Sequence, residues 1–160
     1  MTWNGIPKPW YFSYLFLSRI QGCVMSRGEA HLAVRGKDRL HIITYNLGGY
    51  SPLILKSIRN RKELIAIIDS SASTSMHKFV IRGLHGRFKM IRQRLNRDTC
   101  LFSNWNDLGS PDYLNEEEEK IFANLCFPKA EMKVIDIEDK VDLVSTNEPF
   151  GVERILLEAL

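Results

Sequence analysis

The sequence has 160 residues, 44% of them apolar and 26% charged, enough for one domain with its own core and against a disordered chain. A formal net charge of +3, from 22 Lys and Arg against 19 Asp and Glu, is too mild to specify a nucleic-acid partner. Three widely spaced cysteines (Cys23, Cys100 and Cys126) without a C-x-x-C pair read as reduced thiols, hence as a cytoplasmic protein, rather than as a disulfide framework.

The N-terminus shows no basic region followed by the uninterrupted apolar core of a secretory leader. The apolar stretch 10–20 is about half a membrane span and carries Arg19. A soluble chain without a membrane partner is expected.

Gly5-Ile6-Pro7-Lys8-Pro9 reads as a turn that feeds a helix, with Pro9 in the first helical turn, where its missing N–H costs nothing. Residues 10–21 hold no helix breaker, and Gly22 ends the run. At about 100° per residue, Trp10, Tyr14 and Leu17 share one face, Tyr11 and Leu15 a second, and Phe12, Phe16 and Ile20 a third. Such a helix is expected to be buried on more than one side, and a small β domain covers only one. A further domain or a second copy of the chain is needed for the rest, since each large side chain left wet forfeits about 1.5–3 kcal/mol. Trp10, Tyr11, Tyr14, Phe16 and Leu17 are the candidate docking residues, and a homo-oligomer through helix 10–20 is expected.

After Gly22 the apolar period falls to two. Cys23–Arg27, His31–Arg35 and Arg39–Tyr45 are separated by Gly28-Glu29 and Gly36-Lys37-Asp38, which predicts three antiparallel strands. The third is apolar on both faces and should be central. Residues 53–55 and 64–68 fit strands or helical turns equally, and 70–75 read as a loop. Residues 76–82 and 87–95 flank Gly83-Leu84-His85-Gly86 as a second hairpin; 96–114 read as an ordered excursion. Asn115 caps a helix over 115–126, with Glu116 to Glu119 in its first turn and Ile121, Phe122 and Leu125 as its apolar stripe. Strands over 131–136, 141–145 and 152–157 close the chain. The fold class is mainly β: an antiparallel β-sandwich with an N-terminal helix and a second short helix near 115–126.

Local chemistry is sparse. The 116–119 carboxylates are explained by the helix dipole, and no other pair suggests acid/base work. His31, His41, His77 and His85 never stand at metal-ligand spacing, although two strand histidines can meet across a sheet. Gly48-Gly49 and Gly83-x-x-Gly86 are turn glycines. Arg82, Arg87, Lys89, Arg92, Arg94 and Arg97 read as a solvated strand face rather than a phosphate-binding stripe, because no aromatics interleave with them. No cofactor, no metal and no direct nucleic-acid contact is expected. A sugar platform on Trp105 or exposed tyrosines is a third reading, set against Trp105 as a packing anchor.

Two segments together resemble a known family. Trp3-Asn4-Gly5-Ile6-Pro7-Lys8-Pro9-Trp10-Tyr11 resembles the Gly-x-Pro-Lys-Pro-x-Tyr entry into the last barrel helix of family 39 glycoside hydrolases, the β-xylosidase family, and Phe16-Leu17-Ser18-Arg19 its leucine-rich continuation. Tyr45-Asn46 sits where that family has a strand ending in Tyr-Asn. Arg94-Leu95-Asn96-Arg97-Asp98, followed by Trp105, Gly109, Ser110 and Pro111, is similar to its Arg-x-Asn/Asp-x-Glu-His segment and later Gly-x-Pro; Pro149, Val152, Arg154 and Leu156 match its closing strand.

The resemblance implies two parts, residues 1–21 as the orphan last helix of a TIM barrel and 22–160 as the family's β-sandwich accessory domain. It places Arg97, Asp98 and Trp105 in a barrel-facing loop, with Asp98-Thr99 where the family has an acid followed by His. The family's catalytic glutamates lie upstream, so no catalytic residue carries over and the chain is expected not to be an enzyme. The same region occurs at the C-terminus of some bacterial AraC-type transcriptional regulators. The cysteines and the missing His favour that parent, with an intracellular family 39 β-xylosidase as the alternative. The partners implied are the parent's own N-terminal domains.

Overall fold

A computed structural model describes residues 6–49, 60–70, 73–99 and 101–160. The expected element at 53–55 and the thiol of Cys100 lie outside the described residues, as do Trp3, Asn4 and Gly5. In chain order the elements are α1 (Pro9–Ser18), β1 (Cys23–Arg27), β2 (His31–Arg35), β3 (Arg39–Tyr45), α2 (Arg61–Ser70), β4 (Ser75–Arg82) and β5 (Gly86–Leu95). A 3-10 turn (Arg97–Thr99) leads to α3 (Leu101–Asp107) and α4 (Glu116–Leu125), and then to β6 (Lys129–Ile137), β7 (Lys140–Asn147) and β8 (Val152–Ala159).

The strands form a sandwich of unequal leaves. The larger sheet runs β1-β2-β3-β8-β5-β6, antiparallel throughout, and the smaller is the pair β4-β7. Strand β3 is buried on both faces, as its composition requires. Its inner face carries Leu40 and Ile42, joined by Ile155 and Leu157 of β8 and by Phe88 and Met90 of β5. Phe79 and Ile81 of β4 and Val141 and Leu143 of β7 close this core from the smaller sheet. Both of those strands alternate inward and outward with period two, as one-sided burial dictates.

The hairpin expected over 76–82 and 87–95 does not form. β4 pairs with β7, whereas β5 pairs with β6 and β8. Residues 83–85 instead carry the chain from one sheet to the other. Gly83 (φ 72°) supplies the left-handed turn, and Leu84 is buried at the core's edge rather than at a solvated loop tip. The crossover is pinned to the β6–β7 connection: the Gly83 and Leu84 N–H groups donate to the Asp139 carboxylate and carbonyl, both at 3.3 Å. Glycines flanking a short connector mark a reversal, but not which strand receives the chain.

Helix α1 ends at Ser18, before the expected 21. The Ser18 hydroxyl turns back on the Leu15 carbonyl at 3.0 Å, and the Ile20 N–H closes on Leu17. Gly22 is a requirement of close approach: at φ +138° a Cβ there would stand 2.2 Å from the Arg35 carbonyl oxygen. The ambiguous stretch 64–68 belongs to helix α2. In α4 the Asn115 side chain accepts from the Glu117 and Glu118 N–H groups, and the Glu118 carboxylate accepts from the Asn115 N–H at 2.8 Å, a complete capping box. The buried line of α4 is Phe122 and Cys126, which meet Ile6 and Trp105; Ile121 and Leu125, expected in that stripe, are rotated off it and half exposed.

The basic run on β5 is not simply a solvated face. Arg87 meets Asp136, Lys89 meets Glu158, and Arg92 and Arg94 both reach Glu153. The inner face is apolar at one end of the sandwich and changes at the other into the polar set Thr44, Ser145, Asn147 and Glu153, all buried. There the Thr44 and Ser145 hydroxyls share a hydrogen bond, and the Asn147 amide donates to Thr44 at 2.8 Å.

Candidate functional site

Helix α1 lies on the outer face of the larger sheet, where Phe12 and Phe16 pack on Ile43 and Leu95. That contact uses one face only. The opposite face carries Trp10 (53% exposed), Tyr14 (66%) and Leu17 (49%), with the Trp10 and Tyr14 rings edge to face at 5.7 Å. Tyr11 is half-buried at the margin of the packed side. Phe16, expected among the docking residues, is fully buried in the helix–sheet seam; its place six residues after Trp10 puts it on the far side of the helix. The free face is therefore Trp10, Tyr14 and Leu17.

Beside the C-terminal end of α1 the outer sheet face opens into a trough lined by Arg19, Arg39, His41, Gln93, Arg154 and Glu158, among others. Lys89 and Arg39 hold the Glu158 carboxyl below its ordinary range, Arg39 Nε at 2.7 Å. His41 is buried, and its Nδ1 has no hydrogen-bond partner. Burial, then the charges of Arg154 and Arg39, depress its proton affinity. Sequence reading missed this group. The one signal was the charged pair Glu153-Arg154 inside an otherwise apolar closing strand.

Of the loop residues singled out from the sequence, Asp98 pairs with Lys129 at 3.0 Å, and Arg97 is exposed beside it. Trp105 packs with Ile6, Phe122 and Cys126 while its Nε1 donates to the Pro111 carbonyl at 2.9 Å, the arrangement of a packing anchor. The Phe12 ring lies 5.3 Å from that of Phe127, which brings the α4 end of the molecule against α1.

Two strand histidines do meet, across the sheets rather than within one. The His31 and His77 rings are 6.2 Å apart and both pack on Phe79, with His31 Nε2 2.9 Å from the Ser26 hydroxyl. Among the described residues no three His, Cys, Asp or Glu side chains gather as a metal site. Burial and then the neighbouring His31 lower the proton affinity of His77. The folded chain thus holds His41 and His77 neutral below the ordinary value of 6.5, which the unfolded chain retains. The stability this confers is present above that value and is lost as pH falls through the lowered folded-state values. A urea midpoint measured at about pH 7.5 and again at about pH 5 should fall, and His77→Phe should shrink the difference. An equal fall in the variant would show that His77 plays no part.

No family model and no curated protein matches the sequence. Solved structures do. A monomeric β-xylosidase from Caulobacter crescentus CB15 superposes on 98% of this chain with a TM-score of 0.73 at 26% identity, over 32% of its own length. The GH39 enzyme from Xanthomonas axonopodis pv. citri gives 0.74 at 15% identity, over 98% of this chain and 31% of the enzyme. A GH39 β-xylosidase from Caulobacter crescentus gives 0.63 at 22%, over 97% and 28%. The chain has the C-terminal fold of the GH39 β-xylosidases. It spans about a third of the length of these enzymes, and the part it resembles is their non-catalytic C-terminal part. Among the described residues no helix of this GH39-like chain is long and apolar enough to cross a membrane.

Proposed function

We propose that this chain serves as the accessory region of a GH39-like protein, supporting a barrel-like body through the free face of α1 and carrying no catalytic role of its own. The observation that carries the reading is the pairing of a GH39-like sandwich with a helix whose second face, Trp10, Tyr14 and Leu17, is apolar and uncovered. A helix that belongs wholly to its own sheet has a polar outer side.

Two parents fit. One is a working GH39 β-xylosidase, the other an AraC-type regulator with a degenerate glycosidase-like body. The matched structures are enzymes, which favours the first. The regulator draws its support from Thr99, which stands where the family has His. Thr99 is buried and turned inward, its hydroxyl accepting from the Asn96 N–H at 2.9 Å and donating to the Asn96 carbonyl at 3.2 Å. The upstream reading frame discriminates: two barrel glutamates without a helix-turn-helix segment mark the enzyme, and a helix-turn-helix segment marks the regulator.

The docking face is tested on the chain itself. Sedimentation at about 10–100 µM should show self-association, because the uncovered face finds a second copy when nothing else covers it. The double variant Trp10→Glu, Tyr14→Glu should sediment as a monomer with an unchanged melting temperature. A parent chain that stays monomeric across that range removes the docking role of α1. Turnover of an aryl-xyloside by the isolated chain above background removes the non-catalytic role.

A further inference from the structure

We infer that the trough on the outer sheet face seats a carboxylate on Arg154, borne by an acidic side chain of the domain that covers this face. The inference rests on the docking reading above and adds the chemistry of the contact.

Arg154 stands mid-strand in β8, between its register partners Ile43 of β3 and Gln93 of β5. It is only 5% exposed. Among the described residues its one side-chain hydrogen bond is from Nη1 to the Gln93 side-chain carbonyl oxygen at 2.7 Å; its guanidinium carbon lies 5.8 Å from the centre of the Phe16 ring, and Nε is buried with no partner. No carboxylate among the described residues pairs with it. Burial itself, then Arg19 and Arg39, lower its proton affinity, and the Glu158 carboxylate in the same trough is held by Arg39 and Lys89.

The two carboxylates of the same strand are both answered. Glu153 has Arg92 and Arg94, and Glu158 has Arg39 and Lys89. A guanidinium buried without a counter-ion is costly unless a binding partner supplies one, and its planar fork suits a carboxylate in two-point contact. The flanks argue for a protein surface as the source. On one side lies the C-terminal end of α1, with Ser18 and Arg19 in the lining; on the other, Met132 and Val134 of β6 are exposed on the same sheet face as Ile91 and Lys89. Ile91, Met132 and Leu156 line the trough together with Arg19, Arg39 and Gln93, and an arginine anchor in such a mixed apolar and charged surround is the anatomy of a protein interface.

The isolated chain permits a test, with propionate as the stand-in for an acidic side chain. Propionate should raise the chain's melting temperature saturably, beyond sodium chloride at equal ionic strength. Arg154→Met should abolish that response and itself raise the melting temperature by about 2–4 °C, by removing the unanswered charge. Arg154→Lys, which keeps the charge but loses the fork, should respond more weakly than the parent. A melting temperature lowered by Arg154→Met, together with a propionate response no different from chloride, overturns the inference. Failure of the docking reading looks different: propionate then acts through Arg154 while the parent chain stays monomeric, and the covering domain is rejected as the source of the carboxylate.

Discussion

Glu153→Leu is expected to destabilise the chain by about 3–5 kcal/mol, the range for breaking a buried ion pair from one side. Glu153 is completely buried on the inner face of β8, opposite Arg94 of β5 in register. Its Oε1 accepts from Arg94 Nε at 2.9 Å and from Arg92 Nη1 at 3.3 Å. The hydrogen bond to Glu153 is the main reason that Arg94 holds its proton more firmly than usual. Removing the carboxylate strands Arg92, which is mostly buried and among the described residues keeps only the Val144 carbonyl at 3.0 Å, whereas Arg94 retains Glu131 and reaches water. The loss should therefore sit at the lower end of the range and lower the melting temperature by about 6–12 °C. Adding Arg92→Met should recover most of it, because two apolar side chains then meet where two charges did. A cycle of the two single variants and the double variant, followed by urea unfolding, measures the coupling. A Glu153→Leu chain as stable as the parent refutes this account of the polar end.

The parts of this fold that were legible in the sequence are those fixed by neighbours in the chain. The bounds of β1, β2 and β3 follow from turn residues between runs of β-formers, and the α4 cap follows from Asn115 and the glutamate three positions on. The second face of α1 was legible for the same reason, since helical geometry alone places Trp10, Tyr14 and Leu17 together. What a residue meets across the sheet was not legible. The partner of β4 lies about 60 residues away in β7, and no feature of residues 83–86 separates a crossover from a hairpin. The trough stayed hidden for a related reason. Arg154 and Glu153 are adjacent in sequence and face opposite sides, and only the insertion of β8 between β3 and β5 decides that Glu153 finds two arginines while Arg154 finds no carboxylate among the described residues. Phe16 is the instructive error within α1. Aromatic character marked it for docking, and its angular position put it in the seam.

That seam sets the second large effect. Phe16→Ala should remove about 3–5 kcal/mol from the docking of α1, the cost of truncating a fully buried phenylalanine, but only part of this should appear as global instability. Helix α1 holds the outer sheet face chiefly through Phe12 and Phe16, while the inner core of Ile42, Ile155, Leu157 and Leu143 contains no residue of α1. The helix can leave before the sandwich opens, so the global loss is capped at the free energy that docks it. Hydrogen exchange should show the α1 amides losing protection while β3, β5 and β8 keep theirs. The variant should also lose the self-association of the parent chain, although Trp10, Tyr14 and Leu17 are untouched. A face made of three side chains on a helix exists as a surface only while the helix is held down. Exchange that accelerates equally in α1 and in β3 would show instead that the helix and the sandwich open as one cooperative unit, and the docking face would then be as stable as the core beneath it.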